Sequence, residues 1–131
     1  MKHILVVDDD SIDQFLVERV VGKHRSDVQV SCVCDGIDAL NFLEVPRATV
    51  DAILLDINMP RMNGHDFLGK YAVTHAAKVP VFLMLTSADQ IIDKQLAARY
   101  PFVLDFFEKP LTADKLLRIE NLTYRFNQLA A

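Results

Sequence analysis

Asp51-Ala52-Ile53-Leu54-Leu55-Asp56-Ile57-Asn58-Met59-Pro60 decides how this chain is read. Ile53 to Leu55 form a short apolar run, and Pro60 and Gly64 break the backbone soon after it. An unbroken apolar run between turn signals reads as a strand covered on both faces. Strands of that kind build open parallel sheets, in which function collects at the carboxyl ends. Asp56 stands at such an end. A carboxylate there is costly to desolvate unless a cation or a hydrogen-bond donor meets it. Partners for it are therefore to be sought in the rest of the chain.

Outward from this stretch the pattern alternates. Ile4-Leu5-Val6-Val7 reads as the first strand, and a helix follows from Ser11, where Ser11 and Gln14 have capping-box spacing. Ile12, Phe15, Leu16 and Val20 give that helix one apolar stripe. Val28 to Cys34 is the second strand, and Asp35-Gly36 turns into a short helix through Leu43. After the third strand, Ile53 to Leu55, a helix is expected from about His65 to Ala76. Val81 to Leu85 is the fourth strand, with Asp89 capping a helix to about Arg99. Val103 to Phe107 is the fifth, and Thr112 caps a last helix whose inward face is Leu116, Ile119, Leu122 and Phe126. Five such β-α units predict an α/β fold, a doubly wound five-stranded parallel sheet with helices on both faces.

A length of 131 residues fits one domain, expected to run 1–131 with no output domain. The formal charge of −4 argues against nucleic acid as a partner. Met1-Lys2-His3 leads into only four apolar residues, too few for a signal or spanning segment, so a cytoplasmic protein without membrane contact is expected. Cys32 and Cys34 share a face by strand alternation and read as small buried hydrophobes, since the spacing is not Cys-x-x-Cys. His3, His24, His65 and His75 form no constellation.

Chemistry gathers at the strand ends. Asp8 and Asp9 follow the first strand, Asp56 the third, Thr86 the fourth and Lys109 the fifth. In a parallel sheet these ends point one way, so the five side chains should converge. Three neighbouring carboxylates disfavour joint ionisation, a conflict that a divalent cation removes. An all-oxygen donor set with room for water suits Mg²⁺. Asp56 is then a carboxylate nucleophile of the aspartyl-phosphate kind, with Mg²⁺ on Asp9 and Asp56, Lys109 and the Thr86 hydroxyl offsetting phosphoryl charge. Asp10 is read as a charge at a helix start.

These residues resemble the receiver domain of two-component response regulators, the CheY-like family. The resemblance rests on Val6-Val7-Asp8-Asp9, Asp56-Ile57-Asn58-Met59-Pro60 with Gly64, Leu85-Thr86-Ser87 and Glu108-Lys109-Pro110, and it covers the whole chain. It implies the flavodoxin-like strand order 2-1-3-4-5 with five helices. It further implies that a histidine kinase or histidine phosphotransfer protein donates a phosphoryl group to Asp56. Mg²⁺ would be held by Asp8, Asp9 and Asp56, joined by the Asn58 backbone carbonyl. Lys109, before a cis Pro110, would hold the phosphate, and Thr86 and Phe106 would form the switch pair. The output would be altered affinity for a downstream protein at the face of the fourth helix, fifth strand and fifth helix, with a phosphorylation-dependent homodimer left open. The switch aromatic is Phe106 rather than Tyr, so no signal can be read from a ring hydroxyl. Ala88 offers no hydrogen bond to an attacking water, which implies slow self-dephosphorylation.

Two other classes compete. A phosphatase of the haloacid dehalogenase type also forms a phospho-aspartate, but needs a second acid where Asn58 stands. A receiver used only for docking usually lacks one of the acids or the lysine, and this chain has them all. Flavin binding, common on this fold, is disfavoured because Asp8-Asp9-Asp10 would repel a phosphate. The leading expectation is a phosphoacceptor signalling domain that is not itself a turnover enzyme.

Overall fold

The structure, a computed structural model, describes residues 1–45, 49–74 and 78–130. Its elements run β1 (His3–Val7), α1 (Ser11–His24), β2 (Gln29–Val33), α2 (Gly36–Leu43), β3 (Ala52–Leu55), α3 (Gly64–Thr74), β4 (Val81–Leu85), α4 (Ile91–Ala97), β5 (Val103–Glu108) and α5 (Ala113–Ala130). All four strand pairings are parallel, in the order β2-β1-β3-β4-β5. Of the helix expected to reach Ala76, residues 75–77 lie outside the described residues, and so does His75.

Alternation along the three central strands splits the core into two layers. Leu5, Val7, Ile53, Leu55, Leu83 and Leu85 point to one face and are covered by Ala39 of α2, Phe67, Leu68 and Tyr71 of α3 and Ala97 of α4. Ile4, Val6, Ala52, Leu54, Phe82 and Met84 point to the other and meet Val17 and Val21 of α1 and Leu116 and Ile119 of α5. Burial on both faces is why these strands read as continuous apolar runs. The edge strands β2 and β5 are only partly buried, and the β4–β5 register shifts at Val81/Phe82.

Four local expectations need correction. Helix α1 is capped by Asp10, whose carboxylate accepts from the Ile12 and Asp13 amides, and not by a Ser11–Gln14 box. Its buried residues are Val17 and Val21; of the expected stripe Leu16 and Val20 are partly buried, while Ile12 and Phe15 are 67% and 60% exposed. The apolar residues of this helix occupy more than one face, and the sheet takes the two valines. Cys34 is exposed because β2 ends at Val33; Cys32 alone packs against the core, where burial and the Glu18 carboxylate push its thiol up to about 12. Helix α4 begins after Gln90 with no side-chain cap, so Asp89 does not cap it; the Asp89 amide instead donates to Ser87 Oγ. Thr112 does cap α5, accepting from the Lys115 amide, and Leu116 and Ile119 are buried as expected.

Candidate functional site

Parallel strands β1 and β3 are direct neighbours, with Val7 in register with Leu55. The residues just past them, Asp8 and Asp56, are therefore carried side by side, and the Asp56 amide donates to the Val7 carbonyl at 2.9 Å. Both are buried, at 4% and 8% exposure, while Asp9 is exposed. One oxygen from each of Asp8, Asp9 and Asp56 falls within 4.8 Å of the others, an all-oxygen group able to hold a metal ion. Asp8 Oδ1 accepts the Asp10 amide at 2.9 Å, and Asp56 Oδ1 accepts the Ile57 amide at 2.9 Å. Asp56 Oδ2 and the Asp9 carboxylate take no hydrogen bond from the described residues. The open oxygens thus belong to the residues best placed to meet a ligand.

Lys109 reaches this group from the end of β5, just before a cis bond to Pro110. Its ammonium lies 2.8 Å from Asp8 Oδ2, 2.8 Å from Asp13 Oδ2 and 3.5 Å from Asp56 Oδ1. Beneath it is a cavity of about 20 Å³ walled by Leu16, Val17, Leu54, Met84 and Leu111, room for about one water. Burial would lower the lysine pKa, but hydrogen bonds to Asp13 and Asp8 outweigh it, and the pKa is raised. Burial pushes the Asp56 carboxyl up to about 6, with the Lys109 charge opposing and the Asp8 charge adding to the rise. Asp8 is raised for the same first reason, against its bond to Lys109.

The β3–α3 loop is clamped from below. Arg61, at φ 60°, places its guanidinium 2.6 Å from buried Asp35 and 2.9 Å from Asp38, both at the start of α2. Gly64 packs so tightly under Asp56 that a Cβ there would lie 2.6 Å from the Asp56 carbonyl oxygen. Asn58 sits exposed in this loop.

Thr86 is exposed, and its hydroxyl is not turned toward the acids. It donates to Gln90 Oε1 at 3.0 Å, and the same oxygen accepts the Thr86 and Ser87 amides at 2.8 and 3.1 Å. Gln90 Nε2 donates to Asp93, which pairs in turn with His65 of α3 at 2.8 Å. The His65 and Gln90 bonds hold Asp93 below the usual carboxylate range. Phe106 is half-buried against the core layer of Leu5 and Leu85 and lines a cavity with Lys94, Lys109 and Lys115.

Of the seven residues expected here, Asp8, Asp9, Asp56 and Lys109 are brought together, and Asn58, Thr86 and Phe106 flank them. Sequence reasoning missed two participants. Asp13 falls one turn beyond Asp9, on the helix that begins at the pocket. Gln90 falls one turn beyond Thr86. In both cases a polar side chain four residues past a strand-end residue was the available signal.

The model of the response regulator receiver domain matches residues 4–120. The chain belongs to that family. A solved two-component response regulator from Cytophaga hutchinsonii superposes on this receiver domain with TM-score 0.86 at 27% identity, covering 95% of this chain and 98% of that one. The receiver domain of a sensor histidine kinase from Pseudomonas aeruginosa PAO1, solved with magnesium coordinated in its active site cleft, does so at 0.76 and 26% identity, covering 93% and 97%. Two-component response regulator ARR3 of Arabidopsis thaliana is 30% identical over 98% of this chain. A protein-glutamate methylesterase/protein-glutamine glutaminase of Rhizobium etli is 35% identical over 82%. This receiver domain spans only 58% and 30% of the length of those two relatives. No helix among its described residues is long and apolar enough to cross a membrane.

Proposed function

We propose that this receiver domain is the phosphoacceptor of a phosphorelay, taking a phosphoryl group on Asp56 from a phosphohistidine of a histidine kinase or histidine phosphotransfer protein. The observation that carries the reading is the meeting of three carboxylates within 4.8 Å with one ammonium, beside an Asp56 oxygen that takes no hydrogen bond from the described residues. That oxygen attacks phosphorus as the phosphorus–nitrogen bond of the donor breaks, and the leaving imidazole takes up a proton. Asp56 must be ionised to attack, and Lys109 stands where it can offset the charge of the new phosphoryl oxygens. The all-oxygen donor set fits Mg²⁺, held by Asp8, Asp9 and Asp56 with the Asn58 backbone carbonyl; when bound it supplies further neutralisation of phosphoryl charge. The exposed Ile12 and Phe15 offer an incoming donor an apolar contact on the helix that leaves the pocket.

Output follows from Thr86. Its hydroxyl leaves Gln90 to donate to a phosphoryl oxygen, Phe106 turns inward, and the face of α4, β5 and α5 changes its affinity for a downstream protein or a second copy. Exposed Ile91, Ile92 and Leu117 lie on α4 and α5. Ala88 gives no hydrogen bond to water, so self-dephosphorylation is slow and the domain acts as a cytoplasmic switch, not a turnover enzyme. Incubation with Mg²⁺ and acetyl phosphate tests the reading by intact mass. Wild type gains one phosphoryl group and Asp56→Ala gains none; a wild type that never gains mass, or one that turns over phosphoesters repeatedly, overturns it.

A further inference from the structure

Resting on the phosphoacceptor reading, one feature of this chain goes beyond it: a fourth carboxylate, outside the metal-binding group, takes hold of the pocket lysine. An ammonium has three donors. Two are spent at 2.8 Å, on Asp8 and Asp13, while the phosphoacceptor is left at 3.5 Å, too long for a strong charge-assisted bond. Asp13 is fixed in the first turn of α1 by the Asp10 cap, and its side chain is 28% exposed. The charged groups that share the Lys109 cavity are Asp8, Asp13 and Asp56, and its other walls are mainly apolar. Asp8 takes one donor in either case, and the pull of Asp13 competes with that of whatever charge sits on Asp56.

We infer that Asp13 is a positioning residue that draws Lys109 off the phosphoacceptor in the resting state and so opposes retention of a phosphoryl group. To close from 3.5 Å onto a group carried by Asp56 with its third donor, Lys109 must shift against the 2.8 Å hold of Asp13. With Asp13→Asn the charge on that side is gone and the move costs less. The chain then binds phosphoryl-like anions more tightly and keeps the aspartyl phosphate longer.

The test uses the full chain with Mg²⁺ and beryllofluoride, an analogue of the bound phosphoryl group, titrated by fluorine NMR, together with the half-life of acetyl-phosphate-labelled protein by intact mass. Asp13→Asn should tighten beryllofluoride binding about five-fold, the size of one net uncharged hydrogen bond, since Asn removes the charge but keeps an acceptor, and should lengthen the half-life in step. Asp13→Glu, which keeps the charge, should return both toward wild type. Asp10→Asn removes an equal charge nearby without touching Lys109 and keeps a competent helix cap, so it should shift binding by less than about two-fold. An Asp13→Asn protein that matches Asp10→Asn, or binds more weakly than wild type, overturns the inference while leaving the phosphoacceptor reading intact. A wild type that neither binds beryllofluoride nor gains mass sinks that reading and this inference with it.

Discussion

Replacing Asp56 by Asn should make the metal-free protein more stable, not less, at neutral pH. The Asp56 carboxyl is buried and its pKa is lifted from 3.8 to about 6 even with the Lys109 charge opposing the rise. The folded state therefore holds this proton more tightly than the unfolded chain does. Its contribution is fully present below about pH 4 and is lost as pH rises through about 6. The shift of about 2 units corresponds to about 3 kcal/mol set against the ionised folded state at pH 7. Asn keeps the acceptor for the Ile57 amide, bound at 2.9 Å, and removes the charge. At pH 7.5 in a chelator, thermal unfolding of Asp56→Asn should come later than wild type by roughly 10 °C for a chain of this size. The difference should shrink toward zero as pH is lowered to about 4, where the wild-type carboxyl is already neutral. A gap that does not change between these pH values, or an Asn variant less stable at pH 7.5, would refute the reasoning.

Lys109→Met should act in the opposite direction. It leaves Asp8, Asp13 and Asp56 without their shared cation, which at 15% exposure predicts a loss of about 3 kcal/mol in urea unfolding at pH 7, smaller at pH 5. Gly64→Ala would press a methyl against the Asp56 carbonyl at 2.6 Å and the Ile57 Cα at 2.9 Å, backbone that cannot yield as a side chain could. A loss of about 1–3 kcal/mol is expected, with slower labelling by acetyl phosphate in the mass assay. Gln90→Ala removes the oxygen shared by the Thr86 hydroxyl and the Thr86 and Ser87 amides. Amide hydrogen exchange at Thr86 and Ser87 should quicken by about ten-fold, with about 1 kcal/mol lost in overall stability because water can replace part of the bonding.

The fold was legible because short apolar runs bounded by turn signals alternate with longer helical segments along the whole chain. Ile53 to Leu55 and Val81 to Leu85, short and closed off by turn or loop residues, are found in β3 and β4. Four of the pocket's charged groups, Asp8, Asp9, Asp56 and Lys109, were legible for a related reason, since parallel strands deliver all their carboxyl ends to one edge. Helix α1 was harder. With Ile12, Phe15, Leu16, Val17, Val20 and Val21 all apolar, the chain offers two overlapping stripes, and only the sheet decides between them. Cys34 went astray by a single residue of strand length, since alternation holds only as far as the ladder does. Gln90 was missed because its bonds, to Thr86, Ser87 and Asp93, are local loop bonds that no motif signals, and Asp13 because it works through a tertiary bond to another element. Asp13 and Lys109 are 96 positions apart.

That separation governs when the pocket can come into being. Asp8 and Asp56 arrive with the two middle strands, but their counter-ion is delivered by the outermost one, joined to the sheet through β4 alone. Peeling away that border strand would leave a cluster of unneutralised negative charge, while the inner sheet still stood. Competence to carry a charged group is thus tied to the integrity of one border of the sheet, and a partner that grips or loosens this border acts on the pocket without touching it.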